Sequence, residues 1–219
     1  MTVNFTTWKG ITDGQTYSIP DAYLYDDWGD NKLQDRDDNE TTTYNGVTGF
    51  YRPEWTVIDG SSEPSVDNEM LTIAGGDGIF HELNLNLDET ITWELANVDL
   101  SDGGSTGSDN SWFYLWSEQV DNETFDRLED SYYLDFVTDE RVRMEYIDDA
   151  GNVDSLIEDS DPPAVGDYTV TRSSDGTWEL LVDGDSKGTT QDTKSENPQF
   201  TGFQGRDNPD HDFDEVKVS

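Results

Sequence analysis

In SWFYLWS, residues 111–117, alternation predicts Trp112, Tyr114 and Trp116 on one side of a strand and Phe113 and Leu115 on the other. Only one of two such apolar faces is needed to meet a core. The other is expected to lie beneath loops, to stack on sugar rings or to pack against a neighbouring subunit. Of the two binding uses, subunit packing is the preferred expectation. A second candidate chemistry is acidic: YDDWGDNKLQDRDD at 25–38 opens the main body of the chain, and HDFDEVKVS closes it. If Val216 and Val218 face inward, alternation turns Asp214 inward as well, opposite Phe213, Glu215 and Lys217. A buried carboxylate needs a donor or a metal, and a site rich in carboxylates and carbonyls suits calcium.

Other chemistries find little support. No Cys is present, so disulfides and thiolate metal sites are excluded. His81 and His211 are the only histidines, too few for a zinc site in the absence of Cys. Asp183-Gly184-Asp185 starts like an EF-hand loop, but Lys187 falls on a ligand position and no Glu stands at the twelfth. Glu123, Asp126 and Glu129 share a three-residue spacing, in a segment (121–130) read as a loop with one turn of helix.

The elements that must position these residues are strands. Ile91, Trp93 and Leu95 alternate, as do Tyr132, Leu134 and Phe136. Val142, Met144 and Tyr146 do the same, with Arg141, Arg143 and Glu145 opposite. Strands at 167–173 and 177–183 flank the turn Ser174-Asp175-Gly176, and Asp149-Ala150-Gly151-Asn152 is a similar turn. Short alternating strands between turns predict an all-β antiparallel β-sandwich with one buried face per sheet. Residues 1–20 differ in composition and are read as an N-terminal arm. Residues 21–219 form the sandwich.

Fifty acidic and 12 basic residues among 219 give a formal net charge of -38, spread along the whole chain. Hydrophobic content is only 32%, yet aromatics reach 12% and fall inside the alternating segments, which argues for folding. Such acidity suits concentrated salt, where a Debye length of ~3 Å suppresses self-repulsion. It disfavours nucleic acid as a partner, because no basic stripe exists to neutralise phosphates. No apolar run approaches a membrane span. Residues 1–21 lack a basic region followed by an apolar one, so synthesis and folding in the cytoplasm are expected.

The C-terminal third resembles the closing half of a concanavalin-like or laminin-G-like jelly roll. The resemblance rests on Asp175-Gly176, Trp178, Val182-Asp183-Gly184, the Gly/Phe segment Phe200 to Phe203, and Asp212-Phe213-Asp214-Glu215-Val216. At the front, Tyr25-Asp26-Asp27-Trp28, Trp55 and NEMLTIAGG at 68–76 resemble the family's early strands. The resemblance implies a structural calcium joining the first strand to the last, held here by Asp26, Asp27, Asp212 and Asp214. The hydrolase motif of this sandwich, E-x-D-x-E, is absent, so a non-enzymatic protein is expected. The sequence is also similar to domains of haloarchaeal virus structural proteins and haloarchaeal surface proteins. That similarity implies a virion structural protein displayed on a capsid or tail, assembled in the host cytoplasm and located on the virion surface. It would be a homo-oligomer, joined to other virion proteins through its arm and touching host-surface glycans. The alternative is a haloarchaeal carbohydrate-binding module or lectin, and a glycoside hydrolase ranks third.

Overall fold

The computed structural model describes residues 8–9, 16–17, 23–29, 31–34, 40–44, 47–51, 53–58, 64–73, 75–76, 78–83, 85–100, 110–118, 128–137, 141–195, 197–206 and 211–219. These form strands and connections, with no helix among the described residues. The first nine strands are β1 (Trp8–Lys9), β2 (Thr16–Tyr17), β3 (Leu24–Asp26), β4 (Glu40–Tyr44), β5 (Val47–Tyr51), β6 (Thr56–Ile58), β7 (Ser65–Asp67), β8 (Met70–Ile73) and β9 (Gly78–Glu82). The long central strands follow: β10 (Ile91–Asp99), β11 (Asn110–Ser117), β12 (Ser131–Val137), β13 (Arg141–Ile147), β14 (Val153–Asp159), β15 (Val165–Arg172), β16 (Thr177–Val182) and β17 (Asp185–Gln191). The chain ends in β18 (Phe200–Arg206), β19 (His211–Phe213) and β20 (Glu215–Val218).

Two sheets make the sandwich. One runs β14-β13-β12-β11-β18-β9-β6, and the other runs β17-β16-β15-β10-β20-β3-β5-β4 with β19, β8 and β7 attached. All pairings are antiparallel except β3 with β5. In the segment read as an arm, β1 and β2 pair only with each other. The window 121–130 falls largely outside the described residues. Of it, residues 128–130 are described and are not helical.

The alternation read from the sequence sets the core. Trp93, Leu95, Tyr132, Leu134, Phe136, Val142, Met144, Trp178 and Val216 all enter one cluster between the sheets. Trp93 stacks on Trp178 at 5.7 Å and Tyr132 stacks on Trp178 at 4.7 Å. Arg172 lies over Trp116 and Trp178, and its Nη1 donates to the Leu87 carbonyl. Both turns form where they were expected: Gly151 adopts φ 78° and Gly176 φ 81°, values that a residue with a Cβ rarely adopts.

The phase of the last strands differs from the expectation. Phe213 is buried along with Val216 and Val218, while Asp214 sits half-buried in a bend between β19 and β20. Neighbouring β10 changes phase at the same level, from Leu95 to Val98, through Asn97 at φ 46°. The Asn97 side-chain amide donates to Asp214 Oδ2 at 2.8 Å, so the two irregularities are tied together. A one-residue irregularity reverses which side chains meet the core. That is why Asp214 does not point inward with the valines.

Candidate functional site

β11 is buried along its whole length. Phe113 and Leu115 face the main core as expected. Trp112 and Tyr114 face the opposite, outer side of the seven-stranded sheet, in a second small cluster with Phe80, Leu128, Tyr133 and Ile147. Trp116 does not share that face. The register with β12 shifts between Tyr114 and Trp116, and this bulge turns Trp116 into the main core. There its ring lies 5.0 Å from both Tyr132 and Trp178, and its Nε1 donates to Ser195 Oγ.

The outer face carries a polar network that the sequence did not single out. Register places Gln204, Trp112, Asp135, Arg143 and Glu158 in one row across β18, β11, β12, β13 and β14. Tyr114, Tyr133 and Glu145 form the next row, and Asn110, Val137 and Arg141 the one before. Asp135 is fully buried. Its Oδ1 accepts from Asn110 Nδ2 and from Trp112 Nε1, each at 2.9 Å. Its Oδ2 pairs with Arg143 Nη2. Arg143 Nη1 lies 3.1 Å from Glu145 Oε1, and Glu145 Oε2 accepts from the Tyr133 hydroxyl at 2.8 Å. Tyr114 donates to Gln204 Oε1 and accepts from the Leu128 amide.

Arg143 thus bridges two carboxylates. Its own side chain is 20% exposed, against 0% for Asp135 and 1% for Glu145, so Arg143 is where these three side chains meet solvent. Burial works against its charge, but the Asp135 and Glu145 carboxylates outweigh that and raise its pKa. Among the described residues, three polar atoms on this face are buried without a partner: Asn110 Oδ1, Arg141 Nε and Arg143 Nε.

The four aspartates expected to hold calcium are engaged separately. Asp26 is fully buried and accepts from the Trp28 amide and from Trp55 Nε1, the latter at 2.7 Å. Its partner across the sheet is Val216. Asp27 caps its own turn by accepting from the Gly29 amide. Asp212 accepts from the Thr72 hydroxyl, and Asp214 from Asn97. Asp27 and Asp214 both act on Glu215: burial first, then these two charges, raise its pKa against the lowering effect of the Tyr25 hydrogen bond. Among the described residues, no group of three His, Cys, Asp or Glu side chains could hold a metal ion. Both histidines have neighbours they can bond. His211 is buried beside the Ser111 hydroxyl, and His81 Nδ1 reaches the Glu54 carbonyl with its ring edge-on to Trp55.

Solved structures share this architecture. The carbohydrate recognition domain of Emp46p in its metal-free form matches at TM-score 0.59 and 14% identity, over 75% of this chain and 87% of that one. The carbohydrate recognition domain of Emp47p matches at TM-score 0.58 and 13% identity over the same shares. A legume lectin-like domain from Entamoeba histolytica matches at TM-score 0.52 and 7% identity, over 75% and 89%. The fold is a lectin-like jelly roll. At these identities the likeness is one of fold. No family model matches the sequence, and neither does any curated protein.

Proposed function

We propose that this domain is a non-catalytic glycan-binding module whose site is the outer face of the seven-stranded sheet, entered at Arg143. One observation carries the reading: two almost fully buried carboxylates are bridged by an arginine that reaches solvent, between Trp112, Tyr133 and Gln204. Stability alone gives a poor reason for such a group, since buried ion networks are commonly no more stabilising than well-packed apolar residues. Recognition gives a better one. Fixed carboxylate, amide and guanidinium groups suit ligands whose hydroxyls both donate and accept. Solved structures with the same architecture include carbohydrate recognition domains, which supports a glycan as the ligand class.

Catalysis fits less well, because Arg143 engages both carboxylates and leaves neither in the free pair that glycoside hydrolysis uses. The virion location, the oligomer and the partners of the N-terminal arm rest on the acidic sequence and its resemblance, and the glycan reading does not depend on them. A glycan array in molar salt, followed by titration calorimetry, tests the proposal. At least one glycan is expected to bind with a Kd of about 1 mM or tighter. The variant Asp135→Asn/Arg143→Gln/Glu145→Gln removes the charges of the network and leaves polar amides in their place. It is expected to melt below the wild type and, at a temperature where both proteins are folded, to bind tenfold weaker. A wild type that binds no glycan would sink the proposal.

A further inference from the structure

Arg141 is the anomaly in this charge distribution. The chain has roughly four acids for each base, 50 against 12. The other described Lys and Arg side chains find partners: Lys187 with Asp159, Lys194 with Asp154 and Asp192, Lys217 with Glu94, and Arg143 with Asp135 and Glu145. Lys32 and Arg172 are also engaged. Arg141 makes no ion pair or hydrogen bond among the described residues, and its Nε is buried. It is nevertheless partly open to solvent and shares the outer face with Arg143, because Val142 and Met144 between and beyond them face the core.

Two strands away in the same row stands Asn110, with Val137 between them. Asn110 is 7% exposed. Its orientation follows from chemistry: Asp135 Oδ1 can only accept, so the amide nitrogen must face it and Oδ1 must turn away. That oxygen is buried and unpartnered. At ~4.8 Å per strand spacing, Asn110 and Arg141 stand about 10 Å apart at the backbone, a gap that one sugar ring spans. Among the described residues, one end offers an unpaired cation with a donor, and the other offers an acceptor waiting for a donor.

We infer that the row from Asn110 to Arg141 is a subsite for a carboxylated sugar, a hexuronate within a glycan. The carboxylate accepts from the Arg141 guanidinium, and a ring hydroxyl donates to Asn110 Oδ1. A neutral sugar satisfies the hydrogen bonds but leaves the cation unpaired. A carboxylate satisfies both, through the planar fork that suits arginine. The contact is short-range, so it survives salt that screens the repulsion between an anionic glycan and the acidic surface. This inference rests on the glycan-binding reading and assigns its ligand class.

The experiment uses the full chain in molar salt against polygalacturonate, alginate and hyaluronate, each beside its carboxyl-reduced form. Reduction keeps linkage and hydroxyls and removes the charge. The wild type is expected to bind at least one uronate glycan tenfold or more tightly than its reduced partner. Arg141→Gln is expected to abolish that difference while retaining binding to the reduced form, and Arg141→Lys to restore part of it. Arg141 has no side-chain partner to lose among the described residues, so both variants are expected to melt with the wild type. Equal binding of each uronate glycan and its reduced form, or a preference unchanged in Arg141→Gln, overturns the inference and leaves the glycan-binding reading standing. Absence of binding to every glycan on the array overturns both.

Discussion

Asp26 offers a test that separates a structural carboxylate from a metal ligand. It is fully buried at the end of β3 and accepts two hydrogen bonds, from the Trp28 backbone amide and the Trp55 indole. Both donors belong to residues fully or almost fully buried, and the two rings pack at 5.6 Å. Asp26→Ala leaves both donors without this acceptor, in a place water does not reach. Hydrogen bonds to charged groups contribute about 1.5–3 kcal/mol each, so the loss should be about 3–6 kcal/mol. For a domain of this length, ~2–4 °C per kcal/mol makes the fall in Tm on the order of 10 °C. Asp26→Asn keeps one acceptor oxygen but turns an NH2 group toward the second donor, so roughly half of that loss is expected. The assay is thermal and guanidinium unfolding at fixed high salt, with and without chelator. Chelator should leave the wild type unchanged. A cost for Asp26→Ala below ~1 kcal/mol would refute the hydrogen-bond account, using the magnitudes above. A chelated wild type that matched Asp26→Ala would return Asp26 to the role of metal ligand.

Two further outcomes follow from packing and titration. A Cβ on Gly202 would lie 2.2 Å from the Ile79 carbonyl oxygen and 2.9 Å from the Phe80 Cα. Backbone cannot yield there without parting β9 from β18, so Gly202→Ala should cost about 3 kcal/mol or prevent folding. A variant with wild-type Tm would contradict that close approach. Burial lowers the His81 pKa from 6.5 to about 4, against the opposing effect of the Glu54 carbonyl. As pH falls through 6.5 the unfolded chain takes up the proton first, so stability present above 6.5 is lost progressively down to about 4. At 1.36 kcal/mol per unit the loss is at most ~3 kcal/mol. His81→Gln should remove this component, so its denaturation free energy should fall less than that of the wild type between pH 7 and pH 4.5. Parallel pH dependences would refute the assignment.

The sandwich was legible because period-two alternation carries it. Ile91/Trp93/Leu95, Tyr132/Leu134/Phe136 and Val142/Met144/Tyr146 all face the core as read. What failed was phase across irregularities. Nothing in SWFYLWS announces the bulge that turns Trp116 inward, since every residue there is compatible with burial. Asp214 looked inward-facing for the same reason, because the step at Asn97 lies in a neighbouring strand over a hundred residues away. The outer-face network was hidden differently. Arg141, Arg143 and Glu145 were visible as a polar face, and a polar face normally means solvent. Burial of Glu145 and Asp135, beside the small apolar cluster of Trp112, Tyr114 and Leu128 on the same face, is a tertiary property. The one local signal was Asp135 itself, a lone charge inside the apolar run SYYLDFV.

The buried carboxylates also divide the acidity of this chain into two populations with different physics. Surface carboxylates gain from concentrated salt, because a Debye length of ~3 Å removes their mutual repulsion. Asp26, Asp135 and Glu145 are at most 1% exposed and are out of reach of that screening. Each instead has its own donors: two tryptophans for Asp26; an amide, an indole and a guanidinium for Asp135; a phenol and the same guanidinium for Glu145. The expected adaptation to salt would account for the surface carboxylates and not for these three. Asp26 belongs to the sandwich, since its donors are core tryptophans. Asp135 and Glu145 lie on the far side of the sheet from that core, where the sandwich would close equally well over apolar residues. The acids that say most about function are thus the few that the net charge does not reveal.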